Sequence, residues 1–172
     1  SDFGASPRAR QTRFALWAPT AHRVALCLYP RGDAKATSML PLKRDARTGV
    51  WSASVRRNLS GRYYAYVVDV FVRGKGLVRN LVTDPYSLSL TTDSKRSAIV
   101  DLNAAATKPA GWDATPTPGR VAHPVDMVIY ELHVRDFSVG DKTVAAAHRG
   151  KYLAFTEPNS DGMKHLRSLS QA

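Results

Sequence analysis

Two acidic side chains of this sequence, Glu131 and Asp136, enclose the segment ELHVRD and are the pair to weigh as a general acid and a general base. Such a pair must flank one bond of a substrate, so both carboxyl groups have to reach the same place. The two residues are five positions apart, and on an extended strand their side chains would point to opposite faces. We therefore expect one charge at a strand end and the other in the following turn, and no catalytic pair.

Groups that could bind a metal or a phosphate are also sparse. His133 and His165 have no second ligand at helical or turn spacing, so we expect ordinary buried or surface histidines. Cys27 is the sole cysteine, which excludes an intrachain disulfide and any metal site built from several thiolates. Gly74 and Gly76 are not followed by a helix, so a phosphate-binding loop would lack the helix N-terminus that it needs. The sequence predicts no metal and no cofactor.

The net charge of the 172 residues is +11, from 25 Lys and Arg against 14 Asp and Glu. The whole excess lies in residues 1–120, which carry 19 basic and 8 acidic side chains, whereas residues 121–172 carry 6 of each. Adjacent basic residues occur only as pairs, which are too short to follow several phosphates along a nucleic acid. These pairs are Lys43-Arg44, Arg56-Arg57 and Lys95-Arg96. We interpret the charge as a solvated basic face and predict no nucleic-acid partner.

The apolar content of the chain predicts a globular protein. A hydrophobic fraction of 44% is enough for one core plus part of a second. No apolar run approaches the length of about 18 residues that a membrane-spanning helix needs. The first ten residues, SDFGASPRAR, have no apolar stretch behind their charges. We therefore predict neither a membrane span nor an attached signal peptide.

The first hundred residues consist of short segments of apolar and alternating character, separated by turn residues. These segments span residues 12–18, 23–29, 38–42, 50–55, 62–72 and 77–82. Val24, Leu26 and Leu28 share one face of the second segment, and Tyr64 and Tyr66 share one face of the fifth. Several short strands with frequent turns predict a mainly β chain folded as an immunoglobulin-like β-sandwich.

The composition changes after about residue 102. Residues 103–125 are rich in Pro and Gly among Ala and Thr, and this profile predicts a linker or a wrapping loop. Residues 127–134, MVIYELHV, are nearly continuously apolar and predict a strand buried on both faces, as in a parallel sheet. Ser160 and Asp161 can cap a following amphipathic helix. A single βα unit cannot bury both faces of its strand, so we expect the chain to stop inside a domain.

Four segments in this order, FALWAPTAHRVALCLY, TGVWSASV, LSGRYYAYVV and VTDPYSLSL, resemble carbohydrate-binding module family 48, the N-terminal early-set sandwich of starch-debranching enzymes. The segments DPYSLSLTTDSKRSAIVDLN, KPAGWD, VIYELHVRDFS and HRGKYLAFTEPNSDGMKHL are similar to bacterial type I pullulanases and plant limit dextrinases of glycoside hydrolase family 13. The resemblance implies an early-set sandwich over residues 1–102, a linker over 103–125 and, over 126–172, the first βα unit of a truncated (β/α)8 barrel.

The resemblance also implies a function. In that family two carboxylates hydrolyse α-1,6-glucosidic linkages, and they lie on barrel strands beyond the first, so no catalytic residue is expected in this chain. The chain would be a non-catalytic fragment whose sandwich is a structural docking domain for the barrel. One alternative is an autonomous module that binds an α-glucan such as starch, glycogen, amylopectin, limit dextrin or pullulan. Another is that the rest of the enzyme exists as a separate chain in an active complex. Resemblance alone implies an exported or periplasmic bacterial enzyme.

Binding of a glucan requires flat aromatic faces with a few polar donors beside them. The candidate aromatic residues are Trp51, Tyr64 and Tyr66, and the candidate polar partners are Lys75 and Asn80.

The remaining tryptophans, Trp17 and Trp112, are expected to be packing residues. Glycogen-binding relatives of the module place tryptophans in the turn after the second strand and in the loop before the Asp-Pro. This sequence has Pro30-Arg31-Gly32 and Leu81-Val82 at those places, without an aromatic ring. That departure favours the docking domain over the binding module.

Overall fold

A computed structural model describes residues 3–117, 119 and 121–171 of the chain. The chain divides into two compact units, Ser1–Thr115 and Pro116–Ala172, which we call the sandwich unit and the C-terminal unit. Every strand in the described residues belongs to the sandwich unit.

The sandwich unit contains two antiparallel sheets. In chain order its strands are β1 (Gly4–Arg8), β2 (Gln11–Trp17), β3 (Ala21–Tyr29), β4 (Ser38–Pro41), β5 (Lys43–Arg44), β6 (Val50–Val55), β7 (Tyr63–Val72), β8 (Gly76–Val82) and β9 (Ser97–Ala98). One sheet has the order β1-β2-β6-β5, and the other has the order β4-β3-β7-β8 with β9 also paired to β7. The predicted β-sandwich is confirmed.

The core lies between the two sheets because alternate residues of the long strands are apolar. Phe14 of β2 is fully buried, and it packs in one cluster with Leu26 of β3 and Tyr64 and Tyr66 of β7. The predicted sharing of one face by Tyr64 and Tyr66 is confirmed, since both belong to this cluster. Burial of such large apolar side chains stabilises the fold by roughly 1.5–3 kcal/mol each.

Every strand that alternation predicts is present. The structure also contains strands whose sequences show little alternation. β1 contains Gly4, Ser6 and Pro7 and carries little strand signal of its own. It pairs with β2 only and occupies the edge of its sheet, where Pro is tolerated because no ladder hydrogen bond is needed on the outer side. β5 and β9 are two residues long, which is too short for a periodic pattern to reveal.

The C-terminal unit differs from the prediction at its apolar segment. Residues 127–133 form no strand, and Val128 is 95% exposed. The predicted strand is therefore wrong for this chain. A parallel strand is held by hydrogen bonds to neighbours on either side, and no described residue from 121 to 171 forms a strand that could provide them.

Two helices are present in the described part of this unit, α1 (Val134–Ser138) and α2 (Asp161–Gln171). The predicted cap of α2 is confirmed, because Ser160 Oγ accepts a hydrogen bond from the backbone N–H of Met163 at 3.3 Å. Phe137 of α1 stacks on Phe155 with ring centroids 4.6 Å apart, and Gly162 of α2 lies against Phe137. This contact joins the two helices.

Residues 103–117 form short 3-10 turns, at Ala105–Thr107 and Trp112–Ala114, and no strand. Residues 118 and 120 of the predicted linker lie outside the described residues. The bounds 1–102, 103–125 and 126–172 remain predictions. Among the described residues, no helix has the length and apolar character required to cross a membrane.

Candidate functional site

Trp17 and Trp51 lie on paired strands at one corner of the sandwich unit. The Nε1–H group of Trp17 donates a hydrogen bond to the carbonyl of Thr48 at 3.1 Å, and that of Trp51 donates to the carbonyl of Ala18 at 2.9 Å. Trp17 ends β2 and pairs with Val50, so it lies on the opposite side of the sheet from Trp51. Trp17 is accordingly 53% exposed, whereas Trp51 is 7% exposed.

Further contacts hold this corner together. The guanidinium of Arg44 donates to the carbonyl of Pro19 at 3.0 Å. Asp45 Oδ1 accepts backbone hydrogen bonds from Arg47 at 2.8 Å and from Thr48 at 3.2 Å. These bonds, led by the one from Arg47, lower the pKa of Asp45. The carbonyl that anchors the indole of Trp17 therefore belongs to an ordered turn.

The outer surface of the four-stranded sheet carries small polar side chains beside Trp17. Arg13 pairs with Ser6 of β1 and Ser54 of β6, and Ala15 pairs with Ser52. Directly paired residues lie on the same side of a sheet, and alternate residues of β2 lie on that side too. We call this surface the serine face, comprising Ser6, Gln11, Arg13, Ala15, Trp17, Ser52 and Ser54.

The outer surface of the five-stranded sheet has a different character. Small residues occupy its centre, and large exposed side chains stand at its margins and along the β7–β8 hairpin. We call it the apolar face, comprising Ala25, Cys27, Met39, Pro41, Ala65, Val67, Phe71, Leu77 and Leu81. A cavity of about 360 Å³ on this side is lined in part by Met39, Pro41 and Val67.

An ion pair crosses the apolar face. Arg79 donates to both carboxylate oxygens of Asp69, at 2.8 and 2.9 Å. This bidentate contact lowers the pKa of Asp69. Because Arg79 is largely exposed, the pair adds little to stability and contributes orientation and charge instead.

The structure brings the predicted glucan-binding residues to three different environments. Tyr64 and Tyr66 lie in the core, 1% and 0% exposed, with their rings edge to face at 5.6 Å. Trp51 is buried at the corner described above, although one edge of it lines the 360 Å³ cavity. Lys75 is exposed in the turn between β7 and β8. The rings of Tyr64 and Tyr66 offer no face to a sugar in this arrangement.

The two tryptophans expected to be packing residues are the exposed ones, so that expectation is wrong. Trp17 lies on the serine face, and Trp112 lies in a 3-10 turn beside the ion pair of Lys108 with Asp113. A signal for Trp17 was available in the alternation of β2, since Trp17 is in phase with Arg13 and out of phase with Leu16.

Ionisable residues of the C-terminal unit contact one another in small groups. The imidazole of His148 lies 2.6 Å from Glu157 Oε1, and Glu157 Oε2 accepts the backbone N–H of Ala145 at 2.9 Å. Those contacts, led by the one from Ala145, lower the pKa of Glu157. In the described residues no three His, Cys, Asp or Glu side chains come together to hold a metal. Asp136 contacts His133 at 3.7 Å, while Glu131 is exposed.

Two antiparallel sheets around an aromatic core, with an exposed tryptophan on one face, define a β-sandwich module. The sequence matches the model of carbohydrate-binding module 48 (isoamylase N-terminal domain) over residues 2–87. The chain belongs to this family.

Several of the similar proteins are pullulanases. The pullulanase of Klebsiella aerogenes is 40% identical over 98% of this chain, and pullulanase 1 of Arabidopsis thaliana, a chloroplast protein, is 40% identical over 91%. The solved pullulanase of Klebsiella pneumoniae in complex with maltotriose superimposes with a TM-score of 0.87 at 39% identity, over 99% of this chain. The chain spans about 16% of the length of each of these three proteins.

Proposed function

We propose that this chain is the N-terminal, non-catalytic segment of a debranching enzyme that hydrolyses α-1,6-glucosidic linkages, and that its sandwich docks onto the catalytic barrel. The apolar face is the observation that carries the docking role. Met39, Phe71, Leu77 and Leu81 project from it and are largely exposed. The ion pair of Arg79 with Asp69 lies between Leu81 and the pair Phe71 and Leu77, and large exposed apolar side chains gathered on one face in this way are typical of a protein interface.

The C-terminal unit supports the same proposal. Its segment 127–130 is apolar and exposed, with Ile129 at 80%. In a complete (β/α)8 barrel such a segment would gain strand neighbours on both sides and helices over its outer face. We propose that residues 126–172 are the first βα unit of that barrel. The remaining barrel would complete it within one longer chain, or as a separate chain.

A chimeric pullulanase tests the docking role. This chain would replace the matching segment of the Klebsiella pneumoniae enzyme, with or without Met39→Asp and Leu81→Asp. Charges placed in a buried apolar interface are costly, so the double variant should lower the melting temperature and the pullulan hydrolysis that survives heating. The matched control, Ala36→Asp with Ser60→Asp, adds the same charge at two exposed positions outside both faces and should leave both unchanged. Equal effects of the two pairs would refute docking through the apolar face.

A second proposed function is binding of α-glucan. The family is one of carbohydrate-binding modules, and pullulanases of Klebsiella pneumoniae and Paenibacillus barengoltzii have been solved in complex with maltotriose. In this chain, the half-exposed ring of Trp17 favours the function. Native gels containing pullulan or amylopectin test it, since a chain that binds the polymer migrates more slowly.

A further inference from the structure

We propose that Trp17 and the serine face form a binding site for a chain of neutral α-glucan. This site rests on the second function proposed above and gives it a location. It differs from the candidates drawn from the sequence, because Tyr64 and Tyr66 are enclosed in the core.

The indole of Trp17 is held in place before any ligand arrives. Its polar N–H group is already occupied by the carbonyl of Thr48, in the turn ordered by Asp45. What remains open to solvent is therefore mainly the carbon surface of the ring. A side chain fixed in this way loses little conformational freedom on binding, which favours affinity.

Small side chains surround the ring on the sheet. Ala15 and Ser52 are paired beside it, and of these two Ser52 is the one partly open to solvent, because Ala15 is 2% exposed. Ser6 and Ser54 lie further along the sheet, on either side of the exposed Arg13. A ligand that lies on the indole would therefore meet Ser52 first.

The mixture of groups fits a sugar better than a protein. A protein interface buries an apolar centre, and the apolar face of this molecule offers large exposed apolar side chains for one. The serine face instead offers one aromatic ring with hydroxyl groups on the same surface. A glucose unit has an apolar ring face and a rim of hydroxyl groups, so it can stack on Trp17 while its rim exchanges a hydrogen bond with Ser52, and Ser6 and Ser54 would contact a further unit of the same glucan.

Polar donors lie far enough away to contact a second part of the same chain. Arg13 is four residues from Trp17, or about 13 Å along β2. Lys43 of β5 pairs with Ser52 and adds a donor on the same side of the sheet. The proposed ligand is accordingly an oligosaccharide or polymer, and not a single sugar.

Affinity electrophoresis of the full 172-residue chain tests the site. Gels run at acidic pH with reversed polarity would contain pullulan, amylopectin, dextran sulfate or no polymer. We expect the neutral α-glucans to retard the chain, Trp17→Ala to lose the retardation, and Trp17→Phe to keep part of it through the smaller ring. The matched control Trp112→Ala removes an exposed tryptophan outside the serine face and should be retarded like the unchanged chain.

The results of this electrophoresis distinguish failure of the proposed site from failure of glucan binding as a whole. Retardation that persists in Trp17→Ala would overturn this site and leave glucan binding standing. No retardation of the unchanged chain by pullulan or amylopectin, or retardation by dextran sulfate only, would overturn both the site and the second function. The docking role is tested separately, by the melting temperature of the chimeric enzyme.

Circular dichroism of Trp17→Ala and Trp17→Phe shows whether each variant is folded. A further variant, Arg13→Ala, leaves the indole unchanged and should weaken the retardation by the glucan.

Discussion

The hydroxyl of Tyr64 donates a hydrogen bond to the carboxylate of Asp84 over 2.7 Å, inside the sandwich unit and out of contact with water. Asp84 also accepts the backbone N–H of Tyr86 at 2.8 Å. Its own backbone N–H donates to Ser97 Oγ at 2.9 Å. The Asp-Pro turn after β8 is thus tied to both β7 and β9.

Burial raises the pKa of Asp84, and this sets a pH dependence. A carboxyl whose folded-state pKa exceeds its unfolded value binds more protons in the folded state between the two values. Its contribution to stability is therefore present at low pH and is lost as the pH rises through the folded-state pKa. Relative to Asp84→Asn, the free energy of unfolding of the unchanged chain should fall as the pH increases.

Urea denaturation of both proteins from about pH 3.5 to about pH 7 measures this difference. Comparison with Asp84→Asn cancels the opposite trend from Asp45 and Asp69, whose pKa values are lowered. A difference that stays constant, or that grows with pH, would contradict the prediction.

The two corner tryptophans should differ in their effect on stability. Trp51→Phe removes buried volume and leaves the carbonyl of Ala18 without its indole donor, at a cost of about 2 kcal/mol. Trp17→Phe removes a half-exposed ring and a hydrogen bond that water can replace, so it should cost less than about 1 kcal/mol. Urea denaturation followed by circular dichroism distinguishes them. Equal losses of unfolding free energy in the two variants would show that the exposure of these tryptophans does not determine their contributions to stability.

Gly49, in the turn between β5 and β6, should tolerate substitution poorly. Its φ is +74°, and an added Cβ would lie 2.7 Å from Cβ of Pro19. Gly49→Ala should therefore destabilise the chain by about 1–2 kcal/mol for the backbone conformation, plus the cost of displacing Pro19. Gly61 has a similar φ of +81° with no atom near its Cβ position, so Gly61→Ala measures the backbone cost alone. In thermal unfolding, the melting temperature of Gly49→Ala should be clearly lower than that of Gly61→Ala.

Glu157 should titrate below the ordinary range of a glutamate. The N–H of Ala145 and then His148 lower its pKa, so its stabilising contacts are present above the unfolded pKa and are lost as the pH falls through the folded value. Carbon-detected NMR titration of the Glu157 carboxyl measures the pKa directly. Ala145 amide exchange should quicken in Glu157→Gln, since an uncharged amide is the weaker acceptor. An ordinary Glu157 pKa would refute the contact.

The sandwich could be predicted from the sequence because its long strands alternate regularly. Val24, Leu26 and Leu28 must be buried together wherever β3 lies, and turn residues then limit the strand length. Which apolar face turns inward is harder to predict for β7, where both faces are apolar. The sequence pattern alone is therefore compatible with Tyr64 and Tyr66 on the surface, and the pairing of β7 with β3 decides that they face the core.

The barrel segment and the exposed tryptophans show why the rest could not be predicted. The apolar pattern of residues 127–134 indicates burial in a sheet, but pairing depends on strands that the described chain does not provide. The alternation of β2 places Trp17 on the same side as Arg13, but the neighbours of the indole on that side depend on the pairing of Trp17 with Val50, 33 positions away. Local sequence patterns carry no information on such neighbours.

The opposed indoles of Trp17 and Trp51 also protect the alignment of β2 with β6. A shift of one residue between these strands would turn every side chain of one strand to the other surface. It would bring the exposed indole into the core if β2 turned over, or drive the buried indole into water if β6 turned over, and in either case it would break both indole hydrogen bonds. A misaligned pair of strands would therefore lose two hydrogen bonds and misplace one indole, so the two tryptophans favour a single register of β2 with β6.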